Sequence, residues 1–179
     1  GDITPDPQEI WESIGGHFDN FTQLICEFVD NSLSNFRTKP KGKTVPNIII
    51  SLEEDNSKKK QPRVGVSIED EGEGIHNFDD AMKLGKKNNT KKSTQLNEHG
   101  FGMKHALASA NPENNHWRVC TRTNNDDSNG EFRILEAPYS FAIQETTAPI
   151  KDWTQTGYQF EPKSRTVVQF SCRRELFDT

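Results

Sequence analysis

Apolar residues in this chain fall in short clusters whose spacing changes from helical to strand period along its length. Phe18, Phe21, Leu24, Ile25, Phe28, Val29, Leu33 and Phe36 recur at threes and fours, which predicts an amphipathic helix from Phe18 to about Arg37. Ahead of it, Asp6-Pro7-Gln8-Glu9 supplies an N-cap, a proline at the first helical position and an acid in the first turn. A short helix through Ile10, Trp11 and Ile14 follows, stopped by Gly15-Gly16. Lys39-Pro40-Lys41-Gly42-Lys43 ends the long helix, and a strand is expected near Asn47 to Leu52. Glu53 to Pro62 reads as a polar hairpin loop. Val64, Val66 and Ile68 then alternate with Gly65, Ser67 and Glu69, the pattern of a half-buried strand. A brief helix from Phe78 to Leu84 precedes Gly85 as its C-cap, and Lys86 to His99 reads as a mobile loop. Gly100-Phe101-Gly102 opens a further helix through Ala110, closed by Asn111-Pro112. Strands are expected at Trp117 to Thr123, Glu131 to Leu135, Tyr139 to Gln144 and Thr166 to Cys172. Helices in the first two-thirds and a sheet assembled from both halves make the fold class α+β.

Composition narrows the picture. The chain has 179 residues, a net charge of −5 and a mean hydropathy of −0.88. Leu, Ile, Val and Phe together number 38 of the 179, about 21%, just above the level of disordered chains, and their clustering argues for a small folded core. The length suits one domain, residues 1–179, and the ending Phe177-Asp178-Thr179 reads as a cut, so the expectation is the N-terminal fragment of a larger protein. No apolar run approaches the roughly 20 residues of a membrane helix. Cys26, Cys120 and Cys172 are three, far apart and without a Cys-x-x-Cys pair, which points away from a disulfide framework or zinc site and towards an intracellular location, cytoplasmic or nuclear. The acidic balance speaks against nucleic-acid binding by the domain as a whole.

Three short motifs carry chemistry. On the long helix, with Glu27 set at zero, Asn31 lies at about 40°, Asp30 at about 300° and Ser34 at about 340°, opposite an apolar face centred near 150°. A carboxylate and an amide one turn apart suit a Mg²⁺ ion that keeps several waters, or a carboxylate that orients and deprotonates water. Asp70-Glu71-Gly72-Glu73-Gly74 directly follows a strand. Its glycines let the backbone approach a flat ligand, and its first acid can accept from an exocyclic amine. Gly100-Phe101-Gly102-Met103-Lys104 places free N–H groups, a helix dipole and a cation where a phosphate could bind. Each motif alone also fits a solvated helix face, a strand-end turn or an ordinary loop. The P-loop, the dinucleotide fingerprint, the His-Glu-x-x-His pair and the Gly-x-Ser-x-Gly elbow are all missing from the sequence.

Their order is the informative feature. Glu27-x-x-x-Asn31, then Asp70-x-Gly72-x-Gly74, then Gly100-x-Gly102, followed by Arg165-Thr166-Val167-Val168-Gln169-Phe170, resembles the GHKL ATPase superfamily of DNA gyrase, heat-shock chaperone ATPases, histidine kinases and MutL. Glu-Phe-Val-Asp-Asn-Ser and Gly-Phe-Gly-Met-Lys look most like its Microrchidia (MORC) and chaperone-type branches. The resemblance implies the Bergerat fold, a two-layer sandwich of a mixed, mostly antiparallel sheet with helices on one face. It implies Mg²⁺-dependent ATP binding and hydrolysis that drives an ATP-dependent homodimerisation switch. Glu27 would be the general base and Asn31 the Mg²⁺ ligand, with Ser34 near the ribose. Asp70 would take the adenine amino group, helped by Thr166 through a water. Gly72, Gly74 and Ile75 would line the adenine pocket, and Gly100, Gly102, Met103 and Lys104 would hold the phosphates. Residues 85–99 would form a lid. Arg165 stands where relatives have glycine, and Ser34-Asn35 where they often have Asp-Ala. Two other functions stay open: a nucleotide-sensing module without turnover, and a histidine-kinase catalytic domain, against which the water-activating Glu27 speaks.

Overall fold

The computed structural model of the chain describes residues 6–16, 18–34, 47–57, 60–82, 102–140, 142–155 and 164–178. Helix α1 (Pro7–Ile14) starts as its sequence dictates: the Asp6 side chain accepts from the Gln8 N–H at 3.0 Å, and the helix stops at Gly15. Helix α2 (Phe21–Ser34) follows, and residues 35–46 lie outside the described set, as does the expected end near Arg37. The strands are β1 (Ile48–Asp55), β2 (Arg63–Asp70), β3 (Trp117–Thr121), β4 (Glu131–Glu136), β5 (Thr146–Pro149) and β6 (Thr166–Arg173). Helices α3 (Phe78–Ala81), α4 (Met103–Ala110) and α5 (Asn124–Asn129) complete the set, with 3₁₀ turns at Ile150–Gln155 and Arg174–Asp178.

The sheet order is β1-β2-β6-β3-β4-β5, and all five pairings are antiparallel, so the mixed sheet expected from sequence is antiparallel throughout the described residues. Its inner face carries Val64, Val66 and Ile68 of β2, Val168 and Phe170 of β6 and Val119 of β3. These meet Trp11 of α1, Leu24 and Phe28 of α2, and Ala106 and Leu107 of α4 in the main core. The Phe28 and Phe170 rings stack at 4.9 Å, and Trp11 lies between Trp117 (5.4 Å) and Tyr139 (5.5 Å) while its indole N–H donates to the Asn111 carbonyl. On the outer face, Cys120, Phe132 and Val167 form a second, smaller core under Trp153 of the first 3₁₀ turn. Helices therefore cover one face, and the other is covered locally.

Several expectations change. The apolar stripe of α2 read from the sequence includes Leu33, but that side chain is 42% exposed, because it lies about 140° round the helix from Phe28, whereas Ser32, about 40° away, is buried. Strand β1 continues to Asp55, which shortens the hairpin loop. Strand β2 is buried on both faces near its end, where Ser67 and Glu69 are as enclosed as Val66 and Ile68. The described residues of Tyr139 to Gln144 form no strand. Tyr139 is turned inward instead: its N–H donates to Asn114 Oδ1 at 2.8 Å and its ring joins the Trp11 stack, and the pairing falls to Thr146–Pro149. Residues after Thr121 leave the sheet because Thr123 caps α5 in a capping box with Asp126.

Candidate functional site

Strand register builds the site. Asp70 of β2 pairs with Thr166 of β6, Thr166 pairs with Thr121 of β3, and Thr121 pairs with Arg133 of β4. Cross-strand partners share a face, so these four polar residues form one row on the helix side of the sheet, at the end where β2 stops. Asp70, Thr166 and Thr121 are each no more than 2% exposed, where polar groups need partners. Asp70 Oδ1 accepts from the Gly72 N–H at 3.0 Å, which folds the following loop back over the strand end. The Thr121 hydroxyl accepts from the Ile75 N–H at 2.7 Å and lies 3.0 Å from the Thr166 hydroxyl and 3.2 Å from the Arg165 carbonyl. Gly74 has φ +84°, and a Cβ there would sit 2.5 Å from the Arg122 carbonyl oxygen, so both the turn and the close approach exclude a side chain. Arg165, where the resemblance leads one to expect a glycine, takes part in the ladder: its N–H donates to the Asp70 carbonyl at 2.7 Å and its carbonyl accepts from the Arg122 N–H at 2.8 Å.

The structure thus brings Asp70, Gly72, Gly74, Ile75 and Thr166 together. The expected Glu27, Asn31 and Ser34 stand on α2, which packs against α4 and β2. Glu27 is half-buried; loss of hydration, with a smaller push from Asp30, raises its carboxyl from 4.5 to about 7. Ser34 Oγ donates to the Asn31 carbonyl at 2.7 Å, while the Asn31 side-chain amide nitrogen is buried without a partner among the described residues. That orphaned amide, one turn from Glu27, fits an oxygen-rich ligand, since a half-turn of the amide exchanges donor and acceptor. No three His, Cys, Asp or Glu side chains converge among the described residues, so a divalent ion here would complete its shell with waters and phosphate oxygens, a set that suits Mg²⁺.

Gly102 is the N-cap of α4 and makes no side-chain cap bond, so the positive end of that helix dipole begins at a residue without a side chain. Met103 is buried. Lys104 is buried too, and its Nζ donates to the Tyr139 hydroxyl at 2.6 Å and lies 3.9 Å from that ring's centre, so the structure directs its charge to Tyr139. Gly100, the Gly85 C-cap and the lid of residues 85–99 lie outside the described residues.

Sequence reasoning missed Thr121 and Arg133. A charged residue on the inward alternation of Phe132-Arg133-Ile134-Leu135 was the available signal, but only strand register shows that it ends the Asp70 row. A groove of about 860 Å³ on the sheet, lined by Glu53, Arg63, Gly65, Arg118 and Gln169 among others, includes none of the expected site residues. Its two arginines are engaged within the fold: Arg63 bonds Ser171 and Glu113, and Arg118 bonds Gln169.

Comparison with curated protein sequences gives no match. A family model does match, over residues 19–164, which span the Glu27 helix, the Asp70 loop and the start of α4 and stop just short of Thr166. The antiparallel sheet backed by helices, the buried acid at the end of β2 and that match over most of the chain agree, and the chain belongs to the histidine kinase-, DNA gyrase B- and HSP90-like ATPase family, whose domain binds ATP.

Proposed function

We propose that this domain binds Mg²⁺-ATP with the adenine amino group on Asp70, and that it hydrolyses the nucleotide to drive a dimerisation switch in a larger intracellular protein of MORC-like type. The observation that carries the reading is the buried row Asp70–Thr166–Thr121, a set of acceptors and hydroxyls fixed at a strand end next to a glycine turn. An amine placed there meets a carboxylate already held by the Gly72 N–H. Gly102 and the first turn of α4 would receive the phosphates, and Asn31 would hold the metal, which when bound neutralises phosphate charge. Glu27 has its proton affinity lifted towards neutrality by burial, the range in which a general base is most effective. The test is turnover against binding. Glu27→Ala is expected to keep ATP affinity and to cut phosphate release by a factor of about 10²–10⁴, the usual loss for a general base. A Glu27→Ala protein that hydrolyses ATP at the wild-type rate would overturn the enzymatic reading.

One observation favours a nucleotide-sensing module as the second reading. The Lys104 ammonium is bound to Tyr139, so the cation in the first turn of α4 is already engaged. Radiolabelled ATP separates the readings: free phosphate marks the ATPase, and binding without release marks the sensor.

A further inference from the structure

Ile75 is held at both of its peptide groups. Its N–H donates to the Thr121 hydroxyl at 2.7 Å, and its carbonyl accepts from Arg133, which also donates to the His76 carbonyl at 3.2 Å. The guanidinium is itself fixed from behind. Its Nε lies 3.0 and 3.1 Å from the two Asp126 carboxylate oxygens, and a terminal nitrogen lies 3.0 Å from one of them. Asp126 is locked by the α5 capping box, accepting from the Thr123 N–H at 2.8 Å. Burial works against ionisation of Asp126, but hydrogen bonds from Arg133 and Thr123, with the Arg133 charge, outweigh it and hold the carboxyl below the ordinary aspartate range. The guanidinium carbon also lies 5.5 Å from the centre of the Phe78 ring, at the start of α3. One side chain on β4 thus joins the loop after β2, the cap of α5 and the first turn of α3. A planar fork with five N–H donors can serve a carboxylate and two carbonyls at once, and an ammonium cannot.

We propose that Arg133 is the positioning residue of the base-binding loop: together with Thr121 it fixes residues 74–76 against β3 and β4, and so sets the affinity for the purine half of the nucleotide. This rests on the reading of Asp70 as the base acceptor. Asp70 and the loop meet the same ligand, and the loop's position is decided by the Thr121 hydroxyl and the Arg133 guanidinium. Without the clamp, Ile75 would keep its place in sequence and lose its place in space, leaving a loop that must be ordered when nucleotide binds.

The test uses the whole chain, with ADP as probe in calorimetry and residue-resolved amide exchange without nucleotide. Arg133→Lys and Thr121→Val are each expected to weaken ADP binding by about tenfold, the loss of one buried hydrogen bond to a fixed partner. In both, the Ile75 amide should exchange faster while amides of β3 and β6 keep their wild-type rates. Thr121→Ser, which restores the hydroxyl, should recover most of the lost affinity. Unchanged ADP affinity in Arg133→Lys and Thr121→Val, or an affinity loss accompanied by faster exchange across the whole sheet, would overturn the proposal. Asp70→Asn separates the clamp from the base site. If it abolishes ADP binding while the clamp variants bind normally, the clamp alone fails; if it too binds normally, the base site fails.

Discussion

Gly74→Ala is the substitution whose cost can be worked most directly from the structure. Two separate penalties meet there. With φ +84°, an alanine pays the left-handed cost of about 1–2 kcal/mol. Its Cβ would also sit 2.5 Å from the Arg122 carbonyl oxygen, and restoring an ordinary 3.4 Å contact requires a shift of about 0.9 Å. If the loop moves by that amount, the 2.7 Å bond from Ile75 N–H to Thr121 stretches to about 3.6 Å and is lost, leaving a buried donor at a cost of about 1–3 kcal/mol. If the loop stays, overpacking costs about the same. The total is about 2–5 kcal/mol. Two other glycines isolate the parts. Gly130 has φ +69° and open space around its Cβ, so Gly130→Ala should cost about 1–2 kcal/mol. Gly15 has an ordinary φ of −79°, but its Cβ would meet the Ala108 carbonyl oxygen at 2.8 Å, so Gly15→Ala should cost about 1–3 kcal/mol. Urea denaturation followed by the fluorescence of the buried Trp11, Trp117 and Trp153 gives all three values, and ADP calorimetry should show Gly74→Ala alone losing affinity. A Gly74→Ala protein no less stable than Gly130→Ala would refute the close approach of this loop to β3.

Three further outcomes follow from the charge and burial of named groups. Glu27 has a folded-state value of about 7 against 4.5 unfolded, so between these pH values the folded state holds the extra proton; stability should fall as pH rises across that window, and Glu27→Gln should remove that part of the dependence in denaturation at several pH values. If Glu27 is the base, turnover should run the opposite way, increasing as pH rises through about 7. Among the thiols, burial pushes Cys120 up to about 11 and Cys172 up to about 12, whereas Cys26 is exposed; native alkylation followed by mass spectrometry should label Cys26 alone, with all three labelled in urea.

Where the signal is local, the sequence was readable. Asp6-Pro7 marks the start of α1, and the threes and fours of Phe21, Leu24 and Phe28 mark the buried face of α2. Helix α5 was invisible to periodicity because Asn124–Asn129 holds no apolar residue; its order comes from the Thr123–Asp126 box and the left-handed Gly130. The missing strand at Tyr139 has a similar cause, since its aromatic ring serves the Trp11 stack and not an alternating face. Of the site, Asp70 and Gly74 were legible as a strand end and a turn. Thr121 and Arg133 were not, because what gives them meaning is the register of β6, β3 and β4, a relation between segments far apart in the chain.

Asp70 carries the central claim, and a single titration addresses it. ATP with Mg²⁺ should bind the wild-type chain by calorimetry, and Asp70→Asn, nearly the same in shape, should lose measurable binding while its thermal midpoint shows the domain still folded. The exchanged amide presents a donor towards the incoming amine or loses its bond from Gly72, and either defect is worth about 1–3 kcal/mol or more in a site this buried. An Asp70→Asn protein that binds ATP with wild-type affinity would contradict the assignment of this strand end as the adenine site.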